Sequence, residues 1–267
     1  MGAELVAWRS CWSASLATAA RMTFLAPTRP NSEGTMIRIR PHHLFNLVQT
    51  PSYEARLVKI VLPDQRAPML LETAILLSLA KLVKPRKFFE FGTYLGVETL
   101  NMAANLPQDS HLYTLDLDED SLRDLQQDVH DRPLTLTHFD NLNTLAFLGS
   151  SYENRITQLK GESKSFDFSA FKHQIDMVYV DGGHDLPTLV SDTKNALMML
   201  CDDHTACIAW PDFENLAYPQ VTEYLLSLST SRAMFHVQES RIVFLIHNDD
   251  RLVAALKSGS TDDVHKR

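Results

Sequence analysis

The sequence predicts an α/β fold: one mostly parallel sheet of seven strands, helices on both faces, and an antiparallel hairpin at the C-terminal end. Three observations carry this expectation. From residue 87 onward, short apolar runs alternate with helix-length amphipathic runs, the pattern of a sheet built by crossover connections. The first apolar run ends in a turn with glycines at Gly92 and Gly96, suited to a close approach of backbone and ligand. The last two runs, 234–237 and 242–246, are separated only by 238–241. That gap is too short for a crossover and fits a hairpin.

Taken in order, strands are expected at 87–91, 111–116, 155–160, 175–180, 206–210, 234–237 and 242–246. Helices are expected at 96–105, 119–130, 186–200 and 218–228, with a loop-rich insertion at 131–153. The apolar stretch 69–83 is interrupted by Glu72, Ser78 and Lys81 and is too short to span a membrane. It reads as a buried helix opened by Pro68 and closed before Pro85. Pro41, Pro51 and Pro63 mark 41–67 as irregular, with a short helix near 53–60. Domain organisation follows: 1–35 a disordered extension, 36–67 an N-terminal arm or lid, 68–250 the main domain, and 251–267 a polar tail. Residues 1–35, rich in Ala, Ser, Thr and Arg, also fit an organelle-targeting peptide, or an early start with Met36 as the natural one.

Composition narrows the function classes. At 267 residues and 45% hydrophobic, the chain can bury one substantial core. The net charge is −8, with residues 1–40 at net +3 and the remainder at −11. An acidic body argues against a surface that tracks nucleic-acid phosphates. Three cysteines, Cys11, Cys201 and Cys207, show no C-x-x-C spacing and suggest a reducing cytoplasmic setting without a disulfide frame.

The strand, glycine turn, helix and second strand ending in Asp116 together suggest a nucleoside pocket, the acid gripping ribose hydroxyls. A dinucleotide would want G-x-G-x-x-G and room for a pyrophosphate. Here bulky Tyr94 and Leu95 fill the turn, and Glu90 stands just before it. A carboxylate there suits a cationic cofactor such as S-adenosylmethionine. Asp116 has a second use beside Asp118, Glu119 and Asp120, as negative charge at a helix start. Glu162 and Ser163 follow the third strand as an acceptor and a hydroxyl, or as a polar loop. Asp181 ends the fourth strand before two glycines and His184; its other use is as a helix N-cap. Asp212 ends the fifth strand, so Asp181 and Asp212 project from adjacent strand ends, where two carboxylates could hold Mg2+. Asp192, eleven residues past Asp181, reads as a helix-surface or supporting carboxylate, and His42 and His43 as a solvated pair.

Five blocks then carry a resemblance. Glu90-Phe91-Gly92-Thr93-Tyr94-Leu95-Gly96, Tyr113-Thr114-Leu115-Asp116-Leu117-Asp118, 156–163, 176–184 with Asp181-Gly182-Gly183-His184, and Ala209-Trp210-Pro211-Asp212-Phe213 occur in one order. Together they resemble class I S-adenosylmethionine-dependent methyltransferases, closest to small-molecule O-methyltransferases with a D-G-x-H motif. The resemblance implies the Rossmann-like class I methyltransferase fold and transfer to a small-molecule hydroxyl. It implies cofactor contacts from Glu90, Gly92, Thr93, Tyr94, Gly96, Asp116, Leu117, Glu162, Ser163 and Asp181, and adenine recognition by Glu162 and Ser163. His184 is the expected general base, with Asp181 orienting it or the acceptor. In that subgroup Asp181 and Asp212 would be Mg2+ ligands, but Pro211 and Phe213 supply no third one. An arm such as 41–67 would lid the site, and a homodimer is a further expectation. Two other classes stay open: a catalytically silent cofactor-binding subunit, and a nicotinamide-dependent oxidoreductase.

Overall fold

The computed structural model describes residues 36–48, 54–60, 70–120 and 131–260. The expectations for 1–35, for the helix beyond Asp120, for Pro68 and for the chain past 260 lie outside the described residues. The elements run β1 (Ile37–Ile39), α1 (Pro41–Leu47), α2 (Leu70–Val83), β2 (Lys87–Phe91), α3 (Val97–Asn105), β3 (His111–Asp116) and α4 (Asp131–Asp140). They continue with β4 (Ile156–Lys160), β5 (Met177–Val180), α5 (Leu186–Met199), β6 (Ala206–Trp210), α6 (Pro219–Ser229), β7 (Phe235–Val237), β8 (Val243–His247) and α7 (Asp250–Lys257).

The strands form one sheet in the order β1-β7-β8-β6-β5-β2-β3-β4. β2 pairs in parallel with both β3 and β5, and β5 in parallel with β6. β8 runs antiparallel between β6 and β7. The sheet therefore has eight strands rather than seven. The addition is β1, which pairs in parallel with β7 through Ile37↔Phe235 and Ile39↔Val237.

Alternating side chains split the core between the two faces of the sheet, as strands covered on both sides require. Phe89, Phe91, Val178, Val180 and Ile208 pack into one cluster with α5 and α6. Phe88, Met177, Tyr179, Cys207 and Ala209 pack into the other with α2 and α3. Trp210 is fully buried, and its indole N–H donates to the Thr193 hydroxyl on α5 at 3.0 Å.

Three local expectations change. Residues 131–140 are a helix, α4, inside the expected loop insertion. Residues 54–60 carry no regular secondary structure rather than a helix. Their backbone is bonded by two amides one helical turn apart on α3: Val58 N–H donates to Asn101 Oδ1 (2.9 Å) and Arg56 N–H to Asn105 Oδ1 (2.8 Å). Those amides donate back to Lys59 O (3.0 Å) and Arg56 O (2.8 Å). The expected polar tail begins as α7, capped by Asp249 on Leu252 N–H at 2.8 Å, with Leu256 buried. Among the described residues, no helix is long and apolar enough to cross a membrane.

Candidate active site

From β2 the chain builds outward to β3 and β4, then returns to place β5 on the other side of β2. The reversal leaves a crevice beyond the carboxyl ends of β2 and β5, where open α/β sheets bind ligands. A cavity of about 710 Å3 lies there, lined by the glycine turn, Asp116, Asp181, His184, Asp212 and part of α4. Its size suits a small molecule. Leu57, Lys59 and Ile60, held over α3 by Asn101 and Asn105, line it too. Part of the 36–67 segment thus reaches the cavity, while Ile37–Ile39 belongs to the sheet.

Gly92 has φ +87°, and a Cβ there would stand 2.0 Å from the Asp181 carbonyl oxygen. Only glycine lets β2 and β5 approach so closely at their ends. Gly96, at φ +69°, precedes α3; a Cβ there would meet the Phe147 ring at 2.7 Å. Gly96 is not among the residues lining the cavity, and its place is set by this packing.

Asp116 is committed to the glycine turn. Its Oδ2 accepts from Thr93 N–H (2.8 Å) and Tyr94 N–H (2.9 Å), and its Oδ1 from Leu117 N–H (2.8 Å). A carboxylate has about four acceptor positions, so one on Oδ1 remains for a ligand. His138 on α4 stands beside it: its Nδ1–H donates to Tyr94 O at 2.6 Å. Its Nε2 is buried without a hydrogen-bond partner. Asp116→Ala is expected to weaken S-adenosylmethionine binding by roughly 1.5–3 kcal/mol and also to lower the melting temperature, because three N–H groups lose their acceptor. Calorimetry and thermal melting check both; an unchanged affinity in a folded variant removes Asp116 from the site.

Carboxylates dominate the cavity wall. Glu90 is buried at the end of β2, and its Oε2 accepts from the Thr99 hydroxyl (2.5 Å) and the Thr114 hydroxyl (2.6 Å). Burial, with smaller contributions from Glu98 and Asp116, pushes its pKa up to about 8 against those hydroxyls. Burial likewise raises Glu98 to about 7; Thr73 donates to its Oε2 at 3.1 Å, and its Oε1 has no partner. Asp192 is 1% exposed, so it is no helix-surface residue. It lines the cavity, burial raises it to about 7, and its Oδ1 is unpartnered. Glu162 and Ser163 line the cavity as well, Glu162 paired with Lys164 at 2.9 Å.

At the ends of β5 and β6 lies a chain of charges. His184 Nδ1 is 2.8 Å from Asp131 Oδ1, and its Nε2 is 3.0 Å from Asp212 Oδ2. Its backbone N–H also donates to Asp131 Oδ2 at 2.8 Å. Tyr218 stacks on the imidazole, centroids 3.7 Å apart. Burial alone would lower the His184 pKa, but Asp131 and Asp212 outweigh it and raise it to about 10. Both ring nitrogens thus face carboxylates, an arrangement that favours the protonated ring and offers no unengaged nitrogen to a hydroxyl proton, which weighs against a general-base role.

Asp212 takes φ +62°, a strained conformation for a non-glycine residue. Beyond His184 it accepts from Asn215 Nδ2 at 2.5 Å. Burial would raise its pKa, but His184 and Asn215 hold it below the ordinary carboxylate range. Glu214 turns away to pair with Arg38 at 2.6 Å. Asp181 differs: among the described residues its side chain accepts no hydrogen bond, and burial and Asp212 raise its pKa well above the usual value. Asp181, His184 and Asp212 each offer one ligand atom within 4.8 Å of the others. With Asp131 orienting the ring, this donor set fits a divalent cation if His184 gives up its Nε2 proton. His42 is exposed, and His43 Nε2 meets Ala255 O at 2.9 Å on α7.

Asp131, His138 and Tyr218 escaped the sequence. Asp131 is 53 residues from His184, with no local motif to mark it. The only available signal was Asp131 before Pro133 at a helix start.

Residues 89–212 match a family model described as a methyltransferase domain. Over this segment the chain is similar to methyltransferase domains. The matched segment begins within β2, runs through β6 and ends on Asp212. No curated protein matches the chain. Among solved structures, a candidate caffeoyl-CoA O-methyltransferase from Staphylococcus aureus is 13% identical, covering 77% of this chain and 97% of its own at a TM-score of 0.48. The O-methyltransferase TomG from Streptomyces achromogenes, in complex with SAM, is 15% identical, covering 78% and 88% at 0.44. An SAH-bound methyltransferase from Podospora anserina is 12% identical, covering 79% and 88% at 0.45.

Proposed function

We propose that the methyltransferase domain moves the methyl group of S-adenosylmethionine onto a hydroxyl of a small-molecule acceptor in the cytosol. The observation that carries this reading is the cavity at the sheet's switch point, walled by buried carboxylates and closed by the Gly92 turn. Such a wall suits a cationic cofactor, whose charge would favour the ionised form of these carboxyls, and suits a pyrophosphate poorly. The cofactor, when bound, supplies a sulfonium methyl open to in-line displacement.

Each group then has a task. The free acceptor position of Asp116 and the unpartnered Nε2 of His138 suit ribose hydroxyls. Glu162, Ser163 and the open Asp192 Oδ1 suit an adenine amino group. Glu90 and Glu98 suit the cofactor's positive charge. Asp181 takes the acceptor's proton: it lines the cavity, its carboxyl is unengaged, and its raised pKa makes it a stronger base than an ordinary aspartate. His184 fixes Asp212 and Asp131 as a cation and offers them no proton exchange. Leu57, Ile60 and Leu70 give the acceptor an apolar wall. The size of the cavity and the acidic chain favour a small molecule over a polynucleotide.

If a divalent cation resides on Asp181, His184 and Asp212, it would lower the acceptor hydroxyl's pKa. The two-sided hold on His184 favours the proton instead. Exhaustive chelation is therefore expected to leave turnover unchanged. Loss of activity restored by added Mg2+ or Mn2+ would place a cation in the cluster. The reading itself is tested by incubating the chain with methyl-labelled S-adenosylmethionine and a collection of hydroxylated small molecules. Tight cofactor binding with no transfer to any of them would favour the silent subunit.

A further inference from the structure

At the N-terminal ends of the strands, away from the cavity, three side chains of different chemistry converge. Asp176 immediately precedes β5, and Cys201 and His204 lie in the loop from α5 to β6. A carboxylate oxygen, a thiol sulfur and an imidazole nitrogen all fall within 4.8 Å of one another. His204 Nε2 is 2.6 Å from Asp176 Oδ1 and 3.3 Å from Cys201 Sγ. We propose that Asp176, Cys201 and His204 bind a divalent transition-metal ion of the zinc type, with a fourth position open to water.

Each ligand atom is oriented by its neighbours. Asp176 Oδ2 accepts from the N–H groups of Arg86 (2.7 Å) and Lys87 (2.8 Å), which leaves Oδ1 to face the other two. His204 Nδ1 is 2.6 Å from the largely exposed Asp203 Oδ1, an arrangement that orients the ring and leaves Nε2 to a metal once the ion displaces its proton. Asn248 Nδ2 donates to Cys201 O at 3.3 Å and anchors the loop. Asp176 and Cys201 are buried, while the His204 side chain is 50% exposed, which gives an entry path and a place for water.

Metal chemistry fits the donor set. Zn–S near ~2.3 Å and Zn–N and Zn–O near ~2.0 Å, at tetrahedral angles, separate ligand atoms by roughly 3.3–3.6 Å. The sulfur–nitrogen distance is already of that size; the Asp176–His204 contact must open by about 0.7 Å to reach it. A thiolate and an imidazole select zinc-like ions over Mg2+ or Ca2+. One thiolate and one carboxylate balance the dication's charge, and the proton of Cys201 and any extra proton of His204 leave to solvent. The bound ion would clasp the α5–β6 loop to the starts of β2 and β5. The cluster owes nothing to the cofactor cavity, so the proposal stands apart from the functional reading.

The test uses the full chain, stripped by chelator and titrated with Zn2+ against a chromophoric chelator, then with Co2+ as a spectroscopic probe. A thiolate-to-cobalt charge-transfer band is expected. Cys201→Ser and the exposed-site variant His204→Gln should each weaken Zn2+ binding by about 100-fold or more and abolish the band. Asp203→Asn should weaken it by about 10–100-fold, the usual effect of losing a ligand's orienting partner. Cys207→Ser should leave both readouts unchanged. Thermal melting of His204→Gln without metal confirms that loss of binding is not loss of fold. Absence of the band, or equal Zn2+ affinity in His204→Gln and the parent chain, would reduce the cluster to an ion pair.

Discussion

Asp181→Asn is expected to lower methyl-transfer turnover by about 10²–10⁴-fold at neutral pH, the usual worth of a positioned base, with cofactor affinity changed far less. The amide keeps the shape of the side chain but cannot take the acceptor's proton. The same substitution should raise the melting temperature. The folded state raises the Asp181 pKa, chiefly by burial and then by Asp212. It therefore holds the proton more tightly than the unfolded chain. Stability is lost as pH rises from the ordinary aspartate range toward that raised value, and a neutral amide removes the loss. The parent enzyme's pH profile should show an acid limb above the ordinary carboxylate range. Its alkaline limb should lie near the His184 value of about 10. Full turnover in Asp181→Asn, with normal kinetics across pH, would remove Asp181 from proton transfer.

His184→Ala is expected to be damaging for a different reason. Its removal strands Asp131 and Asp212, both largely buried. Breaking one side of a buried ion pair typically costs about 3–5 kcal/mol, which for a domain of this size is roughly 6–20 °C in melting temperature. The His184 contribution is fully present below the unfolded histidine pKa and is lost as pH rises through about 10. The gap between parent and variant should thus be widest at acidic to neutral pH and narrow toward strongly alkaline pH. A general-base histidine would behave otherwise: the variant would keep its stability, and parental activity would fall as pH dropped through about 6.5. A melting temperature near the parent's would contradict the double ion pair.

The fold was legible where a segment's own pattern was sufficient. β2, β3 and β6 are apolar runs with polar edges, and their ends match the expected 87–91, 111–116 and 206–210. β1 is three residues, Ile-Arg-Ile, and exists because β7 offers it an edge 198 residues away. α4 hid because Leu134, Leu136 and Phe139 make a poor helical stripe around Pro133. Residues 54–60 are not helical, and their backbone is bonded instead by Asn101 and Asn105, a long-range choice no local propensity encodes. The site shows the same division. Glu90, Gly92, Asp116, Asp181 and Asp212 announced themselves by standing at strand ends. The two-sided engagement of His184 did not, because Asp131 lies in α4, where the sequence offers only a loop-rich pattern. Asp116 was visible as an acid at a strand end, but not the three N–H groups it holds.

In the proposed reaction this cavity passes a methyl group from a bound cationic cofactor to a hydroxyl. Its most direct measurement is mass and NMR analysis of products from methyl-labelled S-adenosylmethionine incubated with the full chain and hydroxylated acceptors. The account expects the label as a new O-methyl group, S-adenosylhomocysteine in equal amount, and loss of both in Asp181→Asn. Label appearing only on nitrogen or carbon, or product formed equally by Asp181→Asn, would contradict it.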